Sequence, residues 1–450
     1  MGSLFSLMAG YPNPSAVHFP TTSAFPKRRV NGDRQSTLSL EEFVRMRCPS
    51  VLSEFKPAWW LWNGDMQTLY SVLGNFTKVD TVTYARTHLR LKDGGTIGLD
   101  FTPVEQESIR EDAPIIVVLH GLTGGSYEAY VRGVLYPACK PVEQGGLGYR
   151  AVVVNYRGCA GVPLTSPQLY SAGHTDDIRQ ALMYIAHTYP KAPLVGVGFS
   201  LGANVLIRYL GEEGTSSRLL TGCALACPWN LSKNSNALSS TFIGRHVYSR
   251  GMGSNLLNLL KKHIPALTGD PSSPTAVAVT KALQLRRPTL QEFDGAITRL
   301  LGGSSPPFPF ETAEDYYAWG ASDKIIGDVK VPLLTVNAGD DPVVQEVPML
   351  AGGNSSTVVV VTPHGGHLGW FESTSFNDVT RWITRPVLEW LRAAVEDLDM
   401  RTDPAQLYVD DNGFLCQRDR EDLGCKVTHE FKGKVIQGAN VKTSGVLQGL

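Results

Sequence analysis

Pro193-Leu194-Val195-Gly196-Val197-Gly198-Phe199-Ser200-Leu201-Gly202 is the stretch from which the rest of the chain is best read. Residues 193–197 are apolar, as a strand buried on both faces requires. Residues 198–202 fit Gly-x-Ser-x-Gly, and Ala203 to Leu210 reads as a helix. This is the context of a nucleophile elbow. The small glycines permit a sharp strand-to-helix turn that puts the serine oxygen at the C-terminal end of a sheet. The helix starts there, so its free N–H groups face any developing oxyanion. The bare pentapeptide is a weak signal, and its flanks make it a strong one. Ser200 is accordingly read as the nucleophile.

Outward from this elbow the pattern repeats. Ile115 to Leu119, Ala151 to Val154, Leu219 to Ala226, Val331 to Val336 and Thr357 to Val361 are short apolar runs, and helical stretches such as Asp176 to Tyr189 lie between them. Short strands buried on both faces and separated by helices form a mostly parallel central sheet with helices on both faces. Val79 to Phe101 alternates around Asp93-Gly94-Gly95, a hairpin that adds antiparallel strands at one edge. Residues 230–328 break the rhythm, and an insertion of that length between strands reads as a helical cap over the site. The expected organisation is a flexible N-terminal extension over 1–54, a catalytic domain over 55–398 and a C-terminal tail over 399–450. Trp59, Trp60, Trp62 and Tyr70 make 55–73 too apolar to float free.

A serine hydroxyl is a poor nucleophile until a base takes its proton. After an elbow of this kind the acid and then the histidine follow in chain order. Asp340-Asp341-Pro342 follows the fifth run, counting the elbow strand as the third, and His364-Gly365-Gly366-His367-Leu368-Gly369 follows the last. Asp341 is favoured over Asp340 by its spacing from Ala338. His367 is favoured over His364 because Gly366 gives the loop freedom to drop the imidazole onto the serine. The loop His120-Gly121-Leu122-Thr123-Gly124-Gly125 follows the first run. The expected oxyanion donors are the backbone N–H groups of Leu122 and Leu201, with His120 in a structural role. Asp176, beside His174 and Asp177, is read as a helix cap rather than a metal ligand. No cofactor or metal motif is present, because Gly121 to Gly125 lacks both the phosphate-loop ending and the dinucleotide spacing.

Composition excludes other classes. The net charge of -1 carries no field for nucleic acid or anionic lipid. No apolar run approaches the length of a membrane span, and no signal peptide is recognised. The seven cysteines have scattered spacings, read as thiols of a reducing compartment. A cytoplasmic location is expected, with peripheral membrane association should Gly2 in Met1-Gly2-Ser3-Leu4-Phe5-Ser6 be myristoylated. Lys27, Arg28 and Arg29 read as a solvated basic patch.

Several segments together resemble a known family. These are Asn63 to Thr68, His120 to Gly124, Asn155-Tyr156-Arg157-Gly158, Gly198 to Asn204, Phe293-Asp294, Tyr316-Tyr317, Asp340-Asp341-Pro342 and Gly365 to Gly369. The ensemble is similar to the α/β-hydrolases of the YheT-like group, which includes the mammalian α/β-hydrolase-domain proteins 1 and 3 and the yeast medium-chain fatty acid ethyl ester synthase/esterases. The resemblance runs from about Pro57 to Leu398. It implies the α/β-hydrolase fold, a triad at Ser200, Asp341 and His367, and serine esterase activity on short- to medium-chain acyl esters or thioesters. For the yeast members it implies acyl transfer from acyl-CoA to an alcohol. The expected partner is thus a small acyl ester, or an acyl-CoA and an alcohol. Phe310, Tyr316 and Trp319 are candidates for an apolar acyl pocket. A non-catalytic binding module would show a broken triad, and no member is missing here.

Overall fold

The structure is a computed structural model. It describes residues 15–22, 25–26, 37–105, 109–375, 378–399, 402–428 and 434–437. Gly2 and the Lys27–Arg29 patch lie outside the described residues.

One sheet of 13 strands carries the molecule. In chain order they are β1 (Ala16–His18), β2 (Thr83–Leu91), β3 (Thr96–Thr102), β4 (Ile115–Leu119), β5 (Arg150–Asn155), β6 (Leu194–Phe199), β7 (Thr221–Leu225), β8 (Leu333–Ala338) and β9 (Thr357–Thr362), then β10 (Leu407–Val409), β11 (Leu415–Gln417), β12 (Arg420–Val427) and β13 (Lys434–Gln437). Across the sheet the order is β1-β9-β8-β7-β6-β4-β5-β3-β2-β12-β11-β10, and β13 also pairs with β2. The middle, from β9 to β5, is parallel, whereas β1 and everything beyond β5 are antiparallel. The β2–β3 hairpin turns at Gly94, whose φ of 82° suits glycine.

The apolar runs are buried because each strand feeds two cores. Ile115, Val117 and Leu119 of β4 pack with the helices Asp176–Thr188 and Leu201–Glu213 on one face. Ile116 and Val118 pack with the helices Ala129–Cys139 and Thr384–Asp397 on the other. A two-fold periodicity would have left one face wet, and the continuous apolar runs exclude that.

The described residues carry ordered elements toward both ends of the chain. The N-terminal extension includes an ordered helix, Leu40–Arg47, opened by a Ser39–Glu42 capping box. Its Leu40, Phe43 and Val44 are fully buried, and Phe43 meets Trp390 edge-on at 5.3 Å. Burying three such side chains is worth about 1.5–3 kcal/mol each, which outweighs the polar composition around them. Beyond Leu398, β10 to β13 extend the sheet from β2. These strands are too short for a periodicity signal, and they form because the edge of β2 offers unpaired backbone groups. Among the described residues no helix is long and apolar enough to cross a membrane.

Between β7 and β8 lie the helices Leu231–Ser240, Arg250–Lys262, Pro274–Ala282 and Ala313–Gly320, with π turns at Gly244–Ser249 and Asp294–Thr298. Leu256, Leu257, Leu260, Val279 and Phe293 of this segment form a small core together with Leu164 and Leu169.

Candidate active site

The parallel strands β9, β8, β7, β6 and β4 end side by side, and the loops that leave β4, β6, β8 and β9 carry the expected residues. The β6 strand delivers Ser200, which opens the next helix with φ 51° and ψ −118°. A non-glycine residue in that region is strained, and such strain persists only where the surroundings over-determine it. Here they do. Ser200 N–H donates to the Leu225 carbonyl at 2.9 Å, and its own carbonyl accepts from Ala203 N–H at 2.9 Å. A Cβ on Gly198 would lie 2.6 Å from Ala203 Cα, and one on Gly202 would meet the Leu119 carbonyl. Both glycines of the motif are therefore demanded by close approach.

His367 Nε2 lies 2.7 Å from Ser200 Oγ, and His367 Nδ1 lies 2.8 Å from Asp341 Oδ2. The other oxygen of Asp341 accepts from the N–H groups of Val343 and Val344 at 2.7 and 3.0 Å. His367 is 0% exposed, Asp341 3% and Ser200 5%. With Asp341 accepting at Nδ1, the neutral ring carries its proton there and leaves Nε2 free to accept from the serine. Asp340 and His364 form a separate pair at 3.1 Å. Asp340 also accepts from Gly366 N–H at 2.9 Å. That hydrogen bond to Asp340 pushes the half-buried His364 imidazole up from its ordinary value.

Leu122 and Leu201 both line a cavity that opens on Ser200. Among the described residues no acceptor takes the backbone N–H of either. The loop bearing Leu122 is held by its neighbours: Gly121 N–H donates to Tyr130 Oη and Thr123 N–H to Tyr170 Oη, both at 3.0 Å. His120 is fully buried, and burial pushes its pKa down to about 4. Its Nδ1 meets the Gly121 carbonyl at 2.8 Å. A neutral ring donating to its own loop fits the structural role expected of it.

Other expectations divide. Tyr316 lines the cavity. Phe310 and Trp319 do not line it, and pack instead on Phe308, each at 4.9–5.4 Å. Asp176 is the first residue of its helix rather than the cap, and it pairs with Arg179 at 2.6 Å. Asp177 makes a bidentate pair with the buried Arg157 at 2.6 and 2.8 Å, which explains Arg157 in the Asn-Tyr-Arg-Gly segment. Among the described residues no group of three or more His, Cys, Asp or Glu side chains stands together as a metal site.

One supporting element escaped residue-by-residue reading. The helix Gly64–Leu73 sits behind the histidine loop. Thr68 Oγ1 accepts from His367 N–H at 2.8 Å and donates to the Gly64 carbonyl at 2.6 Å. Gln67 bridges to the backbone of Phe371. A Cβ on Gly64 would collide with the Asp340 carbonyl, and one on Gly366 with the Gly64 carbonyl. Gly64→Ala is therefore expected to cost about 2–3 kcal/mol of stability, because backbone rather than a flexible side chain must move. Chemical denaturation reads this directly, and an unchanged midpoint would show that the loops yield freely.

The alpha/beta hydrolase family model matches residues 116–379. The chain belongs to the α/β-hydrolase family. Its relatives include an abhydrolase domain-containing protein of Dictyostelium discoideum, 35% identical over 76% of this chain and 82% of that one. A monoacylglycerol lipase of Saccharomyces cerevisiae is 29% identical over 84% of this chain and 89% of its own. The medium-chain fatty acid ethyl ester synthase/esterase 2 of the same yeast is 27% identical, covering 80% and 90%. This α/β-hydrolase thus stands among enzymes of the esterase and lipase type.

Proposed function

We propose that this protein is a serine carboxylic-ester hydrolase working through an acyl-enzyme on Ser200, with short- to medium-chain acyl esters or thioesters as substrates. The observation that carries the reading is the unbroken chain from Asp341 through His367 to Ser200 Oγ at the cavity wall. Ser200 Oγ attacks the ester carbonyl carbon while its proton passes to His367 Nε2. The carbonyl oxygen takes the negative charge and receives the N–H groups of Leu122 and Leu201, which point at charge formed only in the transition state. Asp341 supports the imidazolium. As the tetrahedral adduct collapses, the bond to the leaving alkoxide breaks and His367 returns the proton to it. Water then attacks the acyl-enzyme with His367 again as base, releasing the acid and Ser200.

The second step accepts any small hydroxyl nucleophile that outcompetes water, which is the chemistry of the alternative reading, acyl transfer from acyl-CoA to an alcohol. The name of the yeast synthase/esterase relative supports carrying that alternative. Apolar lining by Leu201, Leu238, Met252 and Leu256 supports an acyl chain as occupant.

The test is turnover of p-nitrophenyl esters across acyl lengths from acetyl to lauroyl, with and without ethanol. Hydrolysis peaking at short to medium chains is expected, with ethyl ester appearing at a rate set by the ethanol-to-water competition. Turnover of no ester at any length would overturn the reading. Ethyl ester outrunning free acid at low ethanol would give the site to acyl transfer.

A further inference from the structure

The cavity over Ser200 is not apolar throughout. Asn234, Asp294 and Thr298 line it together with the aliphatic side chains. Asp294 is buried, opens the π turn Asp294–Thr298, and accepts from Thr298 Oγ1 at 2.5 Å and from Tyr317 Oη at 2.7 Å. Among the described residues no lysine, arginine or histidine pairs with it, and burial pushes its pKa up to about 6. Tying two hydroxyls together does not require a charge, because a neutral amide would do so without desolvating an ion. A carboxylate accepts about four hydrogen bonds, so Asp294 retains acceptor capacity beyond the two it uses.

Asn234 presents the complement. Its Oδ1 accepts from Gln345 N–H at 3.3 Å, which orients the amide. Its Nδ2 is buried and has no partner among the described residues. A buried donor left unmade is costly, and a native site that keeps one calls for an explanation. The lining of one cavity thus includes a residue with spare acceptor capacity and a residue with an unanswered donor.

We propose that this cavity recognises free hydroxyl groups on the ester substrate, with Asp294 accepting from them and Asn234 donating to them. The inference rests on the Ser200 reading and names the substrate class within it. A hydroxyl both donates and accepts, so it answers both residues. A plain alkyl chain answers neither, and a quaternary ammonium group cannot accept from Asn234. Sites built to hydrogen-bond a substrate hydroxyl discriminate strongly against analogues that lack it, because their own polar groups are then left unpaired.

Two pairs of esters test this and separate the two sources of a hydroxyl. p-Nitrophenyl octanoates hydroxylated at successive carbons are compared with p-nitrophenyl octanoate, and 1-octanoylglycerol with propyl octanoate. In at least one pair kcat/KM is expected to favour the hydroxylated member by about tenfold or more. That preference is expected to shrink by about fivefold or more in Asp294→Ala and in Asn234→Ala, each of which removes one hydrogen-bonding partner. Preference in the first pair places the hydroxyl on the acyl chain, and in the second on the alcohol. The ratio within a pair is the readout, so a general loss of activity does not imitate the effect, and if one variant fails to fold the other decides. Equal turnover of both members in both pairs by wild type, or a preference that survives in every folded variant, overturns the inference while leaving Ser200 in place. Turnover of no ester, or equal turnover by Ser200→Ala, overturns the Ser200 reading instead.

Discussion

Ser200→Ala is expected to lower kcat for ester hydrolysis by on the order of a million-fold, about 8 kcal/mol of transition-state stabilisation. The substitution removes one oxygen and nothing else. Alanine meets the same φ of 51° that serine already tolerates, so the elbow keeps its shape and thermal unfolding should stay within a few degrees of wild type. Residual catalysis should come from the N–H groups of Leu122 and Leu201 and from binding in the cavity, neither of which the mutation touches. A serine-directed organophosphonate gives an independent readout, labelling wild type and not the variant. A variant that retains wild-type turnover would remove Ser200 from the mechanism, and with it the assignment of His367 as base.

Asp341→Asn is the second large effect, a fall in kcat of about ten-thousand-fold. The 2.8 Å contact to His367 Nδ1 fixes which ring nitrogen carries the proton. The Asp341 carboxylate is itself locked by two N–H donors on its other oxygen. In the asparagine variant those donors keep the amide oxygen, so the amide nitrogen turns to His367 Nδ1 and donates to it. The ring then protonates at Nε2, where it faces Ser200 with a donor instead of an acceptor. Asp340→Asn provides the contrast. That residue ties Gly366 N–H and His364, and losing a charge there is expected to cost less than about tenfold, through loosening of the loop. If the Asp340 variant proved the more damaged of the two, the acid would have to be reassigned.

Much of this molecule is legible without coordinates. Strand runs buried on both faces, a Gly-x-Ser-x-Gly between strand and helix, and acidic and histidine loops later in the chain depend on local chemistry. Apolar periodicity, the room a glycine leaves and the turn a strand end must make all act within a few residues. For the same reason the β2–β3 hairpin could be read from Asp93-Gly94-Gly95. The short strands β10 to β13 could not, since they form only against an edge supplied by β2, more than 300 residues earlier in the chain. The helix Leu40–Arg47 sits in a polar segment and was likewise hidden. What holds it is a facing surface that includes Trp390.

The site divides in the same way. Its residue types and their order along the chain are written in short motifs: a serine at an elbow, paired aspartates after one strand, paired histidines after the next. Which aspartate and which histidine face the serine was settled by contacts among distant segments. Gly366 ties Asp340 to the neighbouring loop, and Thr68, 299 residues from His367 in the chain, holds the histidine backbone. The presence of both Asn234 and Asp294 in the lining of one cavity is of the same kind. Neighbouring residues share almost the same local signal, whereas their side chains leave the backbone in different directions. Only the packing of remote elements decides which direction meets the chemistry.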